Sequence, residues 1–160
     1  MQAVTEGARS AGAKVAGLKI YWGEAMETQR KQKHPYLDDG ELEVVHFFSA
    51  RKHGLVEAGT RAQPADRTAF IALPGGLGTV DELFEVVCLA QLKRMSSAYP
   101  LPPAIVINTD GIYDGLLAFF EDARSHGYVA EGEVAKQLTV CNSVEDAVAA
   151  LDAFYGDEHV

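Results

Sequence analysis

Residues 72 to 82 read Ala-Leu-Pro-Gly-Gly-Leu-Gly-Thr-Val-Asp-Glu, with an apolar run before them and a helical apolar period after them. A strand feeding a glycine-rich turn into a helix start builds an anion site. Glycines let the backbone approach a ligand, and the N–H groups of the first helical turn point at it. The segment is not a Walker loop, since no Lys-Ser or Lys-Thr follows the glycines. It is not the dinucleotide fingerprint either, because counting from Gly76 and Gly78 puts Asp81 at the third glycine position. A structural alternative stands beside the chemical one. Thr79-x-x-Glu82 also spells a capping box, with Thr79 as the helix cap and Glu82 reaching back to it. Three glycines in four positions exceed what a plain helix start requires.

A second constellation is His46-Phe-Phe-Ser-Ala-Arg-Lys52. An adjacent Arg-Lys pair on a helix commonly marks a solvated face. Here the pair follows directly on an apolar strand-like run, so its helix also starts at the carboxyl edge of a sheet. There Arg51 would clamp a phosphate bidentately and Lys52 would act as a point charge.

The elements that must position these residues alternate. Residues 1 to 11 read as a short helix closing at Gly12, and Val15 to Ile20 as a strand. Residues 21 to 40 are polar and read as a surface loop. Leu42 to Phe48 reads as a strand, Arg51 to Ala58 as a helix, and Gly59 to Arg67 as an exposed connection. Thr68 to Leu73 is continuously apolar, as for a strand buried on both faces of a parallel sheet. The period of ELFEVVCLAQLKR predicts a helix opening at Thr79 or Val80 and ending in Lys93 and Arg94. Ala104 to Asn108 follows as a strand, Tyr113 to His126 as an amphipathic helix stopped by Gly127, and Leu138 to Cys141 as the last strand. Ser143 caps a final helix through Phe154. Alternation of this kind predicts an α/β fold, a parallel sheet flanked by helices. With no repeat or linker, residues 1–160 form one predicted domain.

Composition narrows the function classes. The chain has 160 residues with 14 Lys and Arg against 23 Asp and Glu, a formal charge of −9. That balance argues against nucleic acid or an anionic membrane as a bulk partner, but leaves room for one small anion in a local pocket. No apolar run approaches about 20 residues, and the N-terminus lacks a signal-peptide pattern. Cys88 and Cys141 cannot build a disulfide framework, so a reducing cytoplasm is the expected setting. His34, His46, His53, His126 and His159 form no HExxH pair and read as surface or packing residues. Cys88, mid-helix, reads as core. No metal is expected.

Taken together and in this order, HFFSARK and PGGLGT–DE resemble the LOG (Lonely Guy) family, also labelled "possible lysine decarboxylase". Its pattern is PGGxGTxxE with an upstream Arg-Lys. DELFEVVCLAQLKR and His34-Pro35-Tyr36-Leu37-Asp38 are similar to its bacterial branch, and MQAVTEGARSAGAKVAGLKI looks like its second helix and following strand. The resemblance implies a Rossmann-like fold, here lacking the first βα unit, and a homodimer or larger assembly. Arg51 and Glu82 match the family's catalytic pair. Lys52, Gly75, Gly76, Leu77, Gly78, Thr79, Val80 and Asp81 match its nucleotide-monophosphate site. Two departures stand out: Ser49-Ala50 replaces the common Glu or Phe-Val before Arg-Lys, and Gly59 to Arg67 is longer than usual.

The implied reaction is hydrolysis of the N-glycosidic bond of a cytokinin riboside 5′-monophosphate or AMP, giving free base and ribose 5-phosphate without cofactor. The short form, starting at the second helix, is expected to bind nucleotide weakly and to have low or no phosphoribohydrolase activity. A non-catalytic nucleotide carrier using the same pocket is the alternative, and a remnant that binds no nucleotide is a third reading. Lysine decarboxylation would ask for a pyridoxal-binding lysine, which nothing marks out.

Overall fold

A computed structural model describes residues 2–20 and 37–156. Most of the predicted surface loop, with His34, and also His159 lie outside those residues. The chain divides into two compact units, Met1–Leu55 and Val56–Val160.

In the first unit, helix α1 (Gln2–Ser10) ends near Gly12, whose positive φ of 74° suits glycine. Strand β1 (Gly17–Ile20) pairs in parallel with β2 (Leu42–Val45), Gly17 opposite Leu42 and Ile20 opposite Val45. A 3-10 turn over Asp39–Glu41 leads into β2, and Arg9 of α1 pairs with Glu41 and lies 3.8 Å from Asp38. Only His46 and Phe47 separate β2 from helix α2 (Phe48–Gly59), which therefore begins at the carboxyl end of its strand. Phe48 belongs to this helix and not to the predicted strand. A Cβ at Gly54 would stand 2.5 Å from Leu18 Cδ2, so α2 packs against β1 with the end of the Leu18 side chain over Gly54.

The second unit holds a parallel sheet in the order β3 (Phe70–Ala72), β4 (Ala104–Ile107), β5 (Thr139–Cys141). Ile71 pairs with Ile105, and Ile107 with Cys141. Because successive side chains alternate, the sheet feeds two cores. Ala104 and Val106 pack with Leu83 and Val86 of helix α3 (Leu77–Gln91), and with Val56, Met95, Tyr113 and Leu138. Ile105, Ile107 and Cys141 pack with Ala147, Ala150 and Leu151 of helix α6 (Val144–Gly156). Helix α4 (Asp114–Ser125) and the short α5 (Glu133–Gln137) complete the unit.

The strand buried on both faces is β4, and not the TAFIAL run. Among the described strands β3 bonds to β4 alone, which leaves Ile71 and Leu73 exposed. Helix ends follow local chemistry. Lys93, at φ 54°, occupies the left-handed position after α3. Its N–H donates to the Ala90 carbonyl (3.1 Å) and that of Arg94 to the Leu89 carbonyl (2.9 Å). Gly127 and Tyr128 close α4 in the same way on Arg124 and Ala123. Ser143 caps α6 as expected, its Oγ accepting from the Asp146 N–H at 3.0 Å.

Two readings of side-chain placement are corrected. Cys88 is an exposed free thiol and not core. Cys141 is buried, and burial, with Asp146 nearby, raises its thiol pKa. The predicted exposed connection Gly59 to Arg67 carries Arg61, which is 1% exposed. Its Nη1 donates to the Pro100 carbonyl (2.8 Å), its Nη2 to the Pro64 carbonyl, and its amide to Ser97 Oγ (2.9 Å). Its guanidinium lies 5.6 Å from the centre of the Tyr155 ring. Carbonyl acceptors and an aromatic face thus hold a cation that composition alone assigns to solvent.

Candidate functional site

The glycine segment lies where an α/β sheet presents ligands, directly past the carboxyl end of β3. Helix α3 opens at Leu77, two or three residues before the predicted Thr79 or Val80, with Gly76 as its cap. The cap has φ −98° and ψ −148° and makes no side-chain capping bond. Thr79 is therefore the third helical residue, and the capping box with Thr79 as cap does not form. The Val80 N–H is the first to bond back, to the Gly76 carbonyl at 3.1 Å.

This geometry leaves the N–H groups of Leu77, Gly78 and Thr79 without an intrahelical acceptor, as at any helix start. No carboxylate occupies that first turn, so its positive end is not neutralised from within. Gly75, Gly76, Leu77 and Gly78 are exposed, while Thr79 and Val80 are half-buried. A Cβ on Gly75 would collide with Thr79 Oγ1 and come within 3.0 Å of Thr79 Cβ. Glycine at that position leaves room for the Thr79 side chain. Further along α3, Asp81 is exposed and Glu82 half-buried. An open helix end, a backbone lined by glycines and a carboxylate just inside the helix can hold an anion and present a base beside it.

Arg51 and Lys52 stand on α2 in the first unit, and the glycine segment with Glu82 stands in the second. Both basic residues are half-buried, which departs from a fully solvated face. The Arg51 N–H closes the first turn of its helix on the Phe47 carbonyl at 3.2 Å.

Sequence reasoning missed the groups that stand beneath the glycine segment. Asn108 follows β4 and is buried, as is Tyr113 just before α4. Asn108 Nδ2 donates to Asp114 Oδ1 (2.8 Å) and its Oδ1 accepts from the Tyr113 N–H (2.7 Å). The Tyr113 hydroxyl donates to the Leu73 carbonyl at 2.6 Å. Asn-Thr-Asp-Gly after a buried strand was the available signal, since such residues build turns that bond their own backbone. A separate groove of about 250 Å³ lies along Leu117, Phe120, Val134 and Leu138, and none of the predicted site residues lines it. Among the described residues no helix is long and apolar enough to cross a membrane.

The profile of the family described as "Possible lysine decarboxylase" matches residues 1–151. The chain is 34% identical over 111 residues to a cytokinin riboside 5′-monophosphate phosphoribohydrolase of Rhodococcoides fascians, covering 69% of this chain and 49% of that protein. A probable enzyme of the same name from Oryza sativa subsp. japonica, LOGL5, is 36% identical over 120 residues, 75% of this chain and 43% of its own length. The rice protein LOG is 48% identical over 92 residues, 58% and 33% respectively. The chain thus spans a third to a half of the curated relatives it matches.

Proposed function

The chain belongs to the possible lysine decarboxylase, or LOG, family, and from that membership we propose that it is a nucleoside 5′-monophosphate phosphoribohydrolase. The observation that carries this reading is the glycine turn between β3 and α3, with an uncapped helix start and Glu82 just inside it. The proposed substrates are cytokinin riboside 5′-monophosphates and AMP, the first being what the relatives are named for. Backbone N–H groups from Gly75 to Thr79 bind the phosphate, and Val80 and Asp81 lie beside them in the same site. Arg51 and Lys52 supply positive charge to the substrate's anionic groups.

In the proposed reaction water attacks the anomeric carbon as the C–N bond to the base breaks. The water's hydroxyl stays on ribose 5-phosphate, and its proton ends on the departing base. Glu82 stabilises the oxocarbenium character at that carbon and takes the water's proton. No step calls for a metal or cofactor. Residues 1–160 work as one domain in a cytoplasmic setting, without nucleic-acid or membrane partners, and the two free thiols suit that compartment.

The test is incubation with AMP and with an adenine cytokinin riboside monophosphate, followed by chromatography for free base and ribose 5-phosphate. Base release is the expected result. Nucleotide binding without release would favour the non-catalytic carrier, and neither would overturn both.

A homodimer or larger assembly is part of the proposal. Helix α3 buries Leu83 and Val86, yet Leu77 at its start is 91% and Leu92, its C-cap, 65% exposed. Apolar side chains outside the buried stripe ask for a partner. Sedimentation at micromolar concentration is expected to give a dimer or larger species, and a monomer there would count against it.

A further inference from the structure

The three glycines of the phosphate-binding turn carry no side chains that could hold it in place, so its geometry depends on what fixes its ends. At the far end the turn is held by α3. At the near end stands Pro74, which has no N–H to donate. The last backbone group before it is the Leu73 carbonyl, which accepts the Tyr113 hydroxyl at 2.6 Å. That separation is on the short side for an O–H···O bond, and the Tyr113 residue is only 3% exposed.

Tyr113 is itself held from behind. Its N–H donates to Asn108 Oδ1, Asn108 Nδ2 donates to Asp114, and the Asn108 N–H donates to the Cys141 carbonyl at 2.7 Å. The bend that brings these groups together passes through Asp110 at φ 56° and Gly111 at φ 70°, with a Cβ on Gly111 falling 2.5 Å from Asp114 Oδ2. Main-chain and side-chain bonds therefore join the carboxyl ends of all three strands of the second unit and finish on the residue before Pro74.

We propose that Tyr113 is a positioning residue for the phosphate-binding turn, acting through the Leu73 carbonyl and braced by Asn108 and Asp114. The inference rests on the nucleotide reading above. Backbone N–H groups grip a phosphate only when several point at it together, and a small displacement of the turn's origin moves all of them. The hydroxyl thus acts on phosphate affinity and leaves the rest of the ligand's contacts alone.

Tyr113→Phe keeps the buried ring and deletes the hydroxyl alone. Calorimetric titration with AMP and with adenosine, which lacks the phosphate, separates positioning from general weakening of the fold. The Kd for AMP is expected to rise about tenfold, the loss of one good hydrogen bond. The Kd for adenosine is expected to stay within about twofold. An unchanged AMP affinity, or an equal loss for both ligands, would overturn the inference. If the Phe variant does not fold, Asp114→Ala on the exposed face of α4 decides. It should weaken AMP about two- to threefold with adenosine unaffected, and no change would overturn the inference. Absence of AMP binding by the unsubstituted protein would overturn the nucleotide reading, and this inference with it, before any variant is made.

Discussion

Glu82→Gln is expected to lower base release from AMP by about 10²–10⁴-fold, the range typical of losing a positioned acid–base group. Gln keeps the size and hydrogen-bonding reach of Glu but can neither take a proton from water nor offset positive charge at the anomeric carbon. The fold should persist, since the helix starts at Leu77 with Gly76 as its cap and no side chain caps it there. Chromatographic assay of free base, with circular dichroism and AMP titration on the same preparation, checks all three quantities. Retained turnover with lowered stability would make Glu82 a structural residue of α3.

The largest expected effect on stability belongs to Ile105→Ala. Ile105 sits mid-strand in β4 at 0% exposure, bonded to neighbours on both sides and packed with Ile107, Cys141 and Ala147. Removing three carbons there loses their transfer energy and leaves a cavity, at a cost of about 2–5 kcal/mol. Whole domains have only about 5–15 kcal/mol to lose, so urea unfolding should show a clearly lower midpoint. Ile71 is the register partner of Ile105 on β3 but is 46% exposed. Ile71→Ala should therefore cost much less, and equal losses at the two sites would contradict the burial difference between β3 and β4.

Much of this architecture was legible because it depends on short-range pattern. The apolar run at 104–107 and the helical period after residue 80 report burial directly, the run at 70–72 reports a strand but not its half-exposed setting, and Ser143 announces its helix by residue type. The pattern puts the start of α3 two or three residues late because Leu77-Gly78 is a poor helix opening, while Thr79 and Glu82 imitate a capping box. Helix α5, five residues long, is too short to show a period. Arg61 and Tyr113 escaped for a different reason. Their partners Pro100 and Leu73 lie 39 and 40 residues away, and no local pattern encodes an acceptor at that distance. The residues of the glycine segment could be named from sequence, but the bonds that hold it had to be seen in space.

The Tyr155 hydroxyl bonds both the amide and the carbonyl of Thr68, across 87 residues of chain. That clasp joins the end of α6 to the residue pair leading into β3, so the start of one strand is secured only when the last helix arrives. The β3–β4 and β4–β5 pairings are parallel and likewise join residues more than 30 positions apart. Local helices form in about a microsecond, whereas distant pairings must first meet the entropy of closing the chain between them. Folding of the second unit is therefore governed by long-range encounter and not by helix formation. On a ribosome, the clasp on Thr68 cannot close until Tyr155 has left the exit tunnel.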